Sequence, residues 1–208
     1  MIKSFQDKSS VLAKLVFIID RDDKCYEQYV HLLTYKKCNW LTRGEQSLCQ
    51  AYNIVVNRLY PDFKYYSETN DDFIYHTGSW DRILINKLEE EGGGIAYGDD
   101  GFGGRSLPTT SIISGYIIKA LGWIHMPMLE YLYNDVVWKE IGTSLKRLFY
   151  VPEVKIEHMH PIAGKADKDE TFERTNSRES FEKDQAAYRT WRDTQMENDI
   201  RKIKNEST

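Results

Sequence analysis

The sequence predicts an α/β fold, and three observations carry the prediction. Short apolar or aromatic runs of strand length end in acids, amphipathic segments of helical period lie between them, and glycine or proline punctuates the joints. LVFII at 15–19 runs into Asp20, Arg21, Asp22 and Asp23. FKYY at 63–66 breaks at Ser67 and leads to Asp71 and Asp72. IAY at 95–97 ends in GDDGFGG. In an open α/β sheet, ligands bind beyond the carboxyl ends of strands, so acids placed there can hold a divalent cation against a phosphorylated ligand. An Asp-rich turn that only caps the next helix is the competing reading of each.

Taken in order, residues 1–10 are polar and helix-compatible. The run 15–19 is continuous enough for a strand buried on both faces, and a helix follows over 26–35. Residues 37–42 suit a short strand closed by Arg43 and Gly44. A helix is expected over 45–59, with Leu48, Ala51, Tyr52, Val55, Val56 and Leu59 at helical spacing and Pro61 ending it. Asn53 lies inside it, exposed or facing a site. The stretch YSETNDDFIYHTGSWD at 66–81 reads as a strand, an acidic loop and then a helix start at 77–80. The helix over 80–91 stops at Gly92, Gly93 and Gly94. A helix capped at 109–111 should run to Leu121 and end at Gly122. WIHMP at 123–127 reads as a packing loop with His125 structural. Asn134 is expected to cap a helix over 135–141, placing Asp135 in a first turn where the macrodipole favours an ionised carboxylate suited to act as a base. Segments 148–151 and 154–157 bracket Pro152 as short extended pieces. His158 and His160 follow at i and i+2, on one side of an extended chain, a spacing compatible with a transition-ion site. Beyond Gly164 a mobile polar loop is expected, then one helix over 177–203 packing through Phe181, Tyr188, Trp191 and Met196.

The 208 residues carry 28 Lys and Arg against 32 Asp and Glu, a formal charge of −4 with no basic cluster, which argues against duplex nucleic acid as a partner. Three cysteines, Cys25, Cys38 and Cys49, without CxxC spacing argue against a disulfide framework or a structural zinc site and fit a reducing, cytoplasmic setting. No apolar stretch is long enough for a transmembrane segment. YGDD at 97–100 also occurs in polymerase palms, but the other palm motifs are absent.

The succession DRDD, NDDFIYHTGSWD, YGDD, HMP, NDVVWKEIG, VPEVKIEHMHP and GKADKDETF resembles the metal-dependent glycosyltransferases of the GT-A fold. It is most similar to the small family-two-like enzymes of phage and bacterial surface-glycan clusters, over roughly residues 1–174. The resemblance implies a Rossmann-like mixed sheet flanked by helices, with residues 1–164 as the glycosyltransferase domain and 165–208 as a mobile loop and C-terminal helix packed on it. Members of that family begin with a further strand, often ending PTRxRP. This sequence starts in the helix expected after that strand, so an N-terminally truncated domain is implied.

Position by position, the resemblance implies that Asp20 binds the donor nucleotide, with Asp22, Asp23 and Arg43 as further donor contacts. Asp71 and Asp72 form a DxD-like pair for Mn²⁺ or Mg²⁺, with a spacing that departs from the commonest form. Asp135 stands where inverting members keep the base that deprotonates the acceptor. His158, or else His160, adds a metal ligand, and Lys165 closes over the diphosphate. The expected activity is transfer of a sugar from a UDP- or GDP-sugar to a glycan or other hydroxyl acceptor. The alternatives are an inactive glycan- or nucleotide-binding domain of the same fold, and a metal-dependent phosphoesterase or nuclease.

Overall fold

The computed structural model of the chain describes residues 1–10, 13–44, 47–59 and 61–206 and shows a mixed α/β architecture. A parallel pair is made by β1 (Val16–Asp20) and β2 (Asn39–Arg43), joined through α2 (Tyr26–Tyr35). Their register sets Asp20 opposite Arg43, which brings an acid and a base from two strand ends together.

The larger sheet has five strands: β3 (Tyr65–Ser67), β4 (Phe73–Tyr75), β5 (Ile95–Asp99), β6 (Ser111–Ser114) and β7 (Leu148–His158). Its order is β3-β6-β5-β7-β4, and only the β5–β7 pairing is parallel. Both faces are covered. Ile95 and Ile113 enter a core with α5 (Gly115–Leu121), α6 (Asn134–Leu145), α8 (Arg178–Thr194) and α9 (Met196–Glu206). The next residue on β5 and the preceding one on β6, Ala96 and Ile112, point into a second core with α1 (Ile2–Lys8) and α4 (Trp80–Glu90). The period-2 alternation of side chains is why these central strands read as continuous apolar runs.

Several expected elements take a different form. Residues 111–114 are strand rather than helix start, because Ile112 and Ile113 are β-branched and each is buried in a different core. A short strand, β4, stands between the acid pair and α4, so Asp71 and Asp72 occupy a β3–β4 turn instead of a direct strand-to-helix loop. The two extended pieces around Pro152 are one strand. The β5–β7 register shifts between Tyr97 and Asp99, opposite the part of β7 that holds Pro152, and an irregularity of that kind tolerates a residue without an N–H.

The helix expected over 45–59 is α3 (Leu48–Ile54) continued by a π-helical turn (Val55–Leu59), with Ser47 and Gln50 forming a capping box; its expected start at Glu45 and Gln46 lies outside the described residues. The segment expected to be a mobile loop contains a helix, α7 (Glu170–Thr175), capped by the Asp169 carboxylate. The single C-terminal helix is two, α8 and α9, broken at Gln195. Trp191 and Ile200 are nine residues apart, about 900° of helix or half a turn out of phase, so an unbroken helix would face them opposite ways. The break lets Tyr188, Trp191, Ile200 and Ile203 share one core, while Phe181, expected in that stripe, stays 45% exposed. No described helix is long and apolar enough to cross a membrane.

Candidate functional site

The antiparallel pairing of β4 with β7 builds the centre of the site. It sets Phe73 opposite His158, and the two rings stack at 4.3 Å. Asp72, one residue before the strand, then reaches His158: its Oδ2 lies 3.0 Å from Nε2. Backbone bonds fix both ends, from Met159 N–H to the Asp72 carbonyl at 3.0 Å and from His158 N–H to the Asp100 carbonyl at 2.9 Å. The other polar atoms of the pair, Asp72 Oδ1 and His158 Nδ1, are buried and have no hydrogen-bond partner among the described residues. Buried unpaired polar atoms are costly and uncommon, and they concentrate where a ligand is to be met.

Around this pair, His160 lies 4.8 Å from the His158 ring and stacks on Phe102 at 5.0 Å and 12°. Its Nδ1 accepts from Ile162 N–H at 3.2 Å, so the local turn already uses one nitrogen. Burial, and then His158, hold its pKa below the usual value. Phe102 is 48% exposed. It rides on a loop pinned by Asp100, whose Oδ1 accepts from the N–H groups of Phe102, Gly103 and Gly104 at 2.9, 2.7 and 2.9 Å. Asp71 projects from the turn. Crowding by surrounding protein and then the Asp72 charge raise its pKa.

Asp135 occupies the first turn of α6, as expected, but the residue that caps the helix is Tyr133, held at φ 71°, and not Asn134. Asn134 lies inside the helix because its side chain is bonded elsewhere, to Glu68 and to the Met126 backbone. The Asp135 carboxylate accepts from Val136 N–H at 2.8 Å. Burial pushes its pKa up to about 6, with Glu68 adding to the rise and His158 opposing it. Asp135 therefore lies within the electrostatic reach of both His158 and Glu68.

The remaining expected residues divide. Arg43, 8% exposed, forks onto both oxygens of Asp20 and also bonds Tyr131. Asp23 accepts from Cys25 N–H and so stabilises its own turn. Asp22 is exposed beside it. Lys165 pairs with Glu157 at 2.9 Å and approaches the Gly101 carbonyl at 3.5 Å, next to the Asp100 loop. Asn53 is structural: its carboxamide bonds the backbone of Ile124 and His125. Glu68, Asn134, Tyr131 and Asp100 carry the site without having been singled out as site residues. The readable trace of Glu68 and Asn134 was an acid and an amide each placed just ahead of an expected site residue.

As to what could be held there, the described residues contain no group of three or more His, Cys, Asp or Glu side chains arranged around a metal ion. The free atoms at the centre are one carboxylate oxygen and one ring nitrogen, from Asp72 and His158. Both are cation-ligand types, but Nε2 faces Asp72, so the free Nδ1 points to the other side of the ring, and a cation on it would take its other ligands from a bound molecule. No protein-family model matches the sequence, and no curated protein matches it.

Proposed function

We propose that the protein is a glycosyltransferase that takes a sugar from a UDP- or GDP-sugar to an acceptor hydroxyl with Mn²⁺ or Mg²⁺, in a GT-A-like fold. The observation that carries this reading is that two differently set carboxylates, Asp72 and Asp135, both interact with His158. Asp72 is paired with His158 and has a free buried oxygen, whereas Asp135 is half-buried with its pKa raised to about 6. A carboxylate bonded to a histidine and a second one made more basic by its surroundings suit divided roles.

His158 would hold the cation through Nδ1, with the Asp72 carboxylate accepting from Nε2 and fixing the ring; when bound, the cation offsets the charge that builds on the departing diphosphate. With Nε2 protonated toward Asp72, His158 keeps the Nδ1 lone pair available. Asp135 takes the proton of the incoming hydroxyl. At neutral pH it is largely ionised yet more basic than an ordinary carboxylate, which is the compromise general-base catalysis favours. Asp20 and Arg43, locked together at the ends of the parallel pair, and Tyr131 would supply the nucleotide-facing wall. A base that acts on the acceptor hydroxyl fits an inverting displacement. A multinuclear hydrolase is the weaker reading, since the two free donors do not make up a cluster of protein ligands.

The test is release of UDP or GDP from a panel of their sugars, with and without Mn²⁺. Asp72→Ala should lose at least about two orders of magnitude in rate, as expected for removal of a charge-stabilising group, and Asp135→Asn should lose turnover while keeping Mn²⁺-dependent nucleotide binding. Sugar-independent phosphodiester cleavage, or transfer untouched by Asp72→Ala, would sink the proposal.

A further inference from the structure

Beside the proposed base lies a second buried polar group that the mechanism above does not use. Glu68, in the β3–β4 connection, has a side chain 12% exposed, and the His125 side chain against it is 7% exposed. Each Glu68 oxygen lies 3.1 Å from the Asn134 side-chain nitrogen, and one also touches His125 Nε2. Asn134 is the residue immediately before Asp135. His125 is fixed from every other side: Tyr52 stacks on it at 4.3 Å and 24°, Cys49 Sγ lies 3.3 Å from Nδ1, and Asn53 bonds its backbone.

A structural link would not need a charge here. Burying a carboxylate is expensive, and apolar packing of similar volume is often as stable. A glutamine could also bond the Asn134 amide. What the carboxylate adds is a fixed charge, and its neighbours register it. Glu68 contributes to the raised pKa of Cys49, Tyr52 and Asp135, in each case after burial itself. Cys49 is wholly buried, which excludes the alternative use of Cys49, His125 and Glu68 as a nucleophilic triad.

We propose that Glu68 is a positioning residue for the acceptor-activating base: its carboxylate, clamped between Asn134 and His125, keeps a negative charge beside the first turn of α6 and makes Asp135 a stronger base. This rests on the reading of Asp135 as the base. The titratable groups facing the pair are His125 from the α5–α6 connection, Cys49 and Tyr52 from α3, Asp135 from α6, and His158 from β7 beyond Asp135. Glu68 strengthens Asp135 as a base and His158 weakens it.

The experiment is a titration of carboxyl-¹³C-labelled aspartate followed by NMR in the full chain, without donor, with the Asp135 resonance assigned by its loss in Asp135→Asn. Glu68→Gln should lower the Asp135 midpoint by about one pH unit, a tenfold change in proton affinity, and Glu68→Asp should restore part of it. Glu68→Ala removes the same charge, should lower the midpoint by a similar amount, and decides the matter if Glu68→Gln does not fold. An unchanged Asp135 midpoint in either folded variant overturns the proposal. The acid limb of the rate profile for donor turnover should move with the midpoint. A midpoint that moves while no UDP- or GDP-sugar is turned over would leave the coupling standing and refute the glycosyltransferase reading instead.

Discussion

Replacing Asp135 by Asn should stabilise the protein above neutral pH and do so less in mild acid, and the size of the difference follows from its surroundings. Burial lifts the carboxyl from an ordinary 3.8 to about 6 in the folded chain. The folded state therefore binds the proton more tightly than the unfolded state, and stability contributed by this group falls as pH rises between those two values. At about 1.36 kcal/mol per pH unit of proton affinity, ionised Asp135 costs the fold about 3 kcal/mol. Between pH 5 and pH 8 the unfolded carboxylate is already ionised, while the folded one loses its proton. Wild type should accordingly lose about 1.4 kcal/mol relative to the Asn variant over that interval. Other titrating groups are common to both proteins and largely cancel in the difference. The Val136 N–H bond at 2.8 Å can still be accepted by the Asn oxygen. Urea denaturation of the two proteins at pH 5 and pH 8 measures the quantity directly. A stability difference that is the same at both pH values would refute the burial argument and with it the claim that Asp135 is an unusually basic carboxylate.

Two further substitutions test the scaffold that holds the site. Asp184, fully buried, accepts from the N–H groups of Glu130, Tyr131 and Leu132 at 2.8, 2.9 and 2.7 Å. Asp184→Ala strands three buried donors and should cost about 3 to 5 kcal/mol by urea denaturation, with Asp184→Asn recovering part; a loss below about 1 kcal/mol contradicts the account. At Gly115 a β-carbon would fall 2.3 Å from the Phe63 carbonyl oxygen and 3.0 Å from that of Lys64. Gly115→Ala must push β3 away from α5 and should lower stability by about 1 to 3 kcal/mol, visible as a drop in thermal midpoint that Gly122→Ala, with open space around it but φ +75°, would produce through backbone strain without moving β3.

How much of this was legible in the chain depends on the range of the physics involved. The placement of Asp71 and Asp72 in a turn and of Asp135 in a first helical turn is readable because those signals are local: acids after an aromatic run, and an acid just after an amide of capping type. The strand identity of 111–114 was lost because Thr109 to Ser111 offers good capping chemistry, and what decided the matter was burial on both faces by helices distant in sequence. The split of α8 from α9 was readable in principle. Trp191 and Ile200 are half a helical turn out of phase, and only a break reconciles them with one core.

The pairings at the site are another matter. Asp72 and His158 are 86 residues apart, and they meet because β4 aligns Phe73 with His158. β4 has three residues, too few to announce itself against the helix signal that follows. That short strand is the reason the acid pair has a histidine beside it. Glu68 has only loop signals in the sequence, although the β3–β4 connection brings it onto Asn134. The apolar setting of His125 predicts a structural histidine, and its ring is enclosed by Tyr52 and Cys49. Yet its Nε2 faces a buried carboxylate. A residue fixed on three sides by packing and on the fourth by a charge is structural in its position and electrostatic in its consequence. Local sequence carries the first property; only the tertiary pairing of two loops carries the second, which is why the titration of Asp135 in Glu68→Gln separates them.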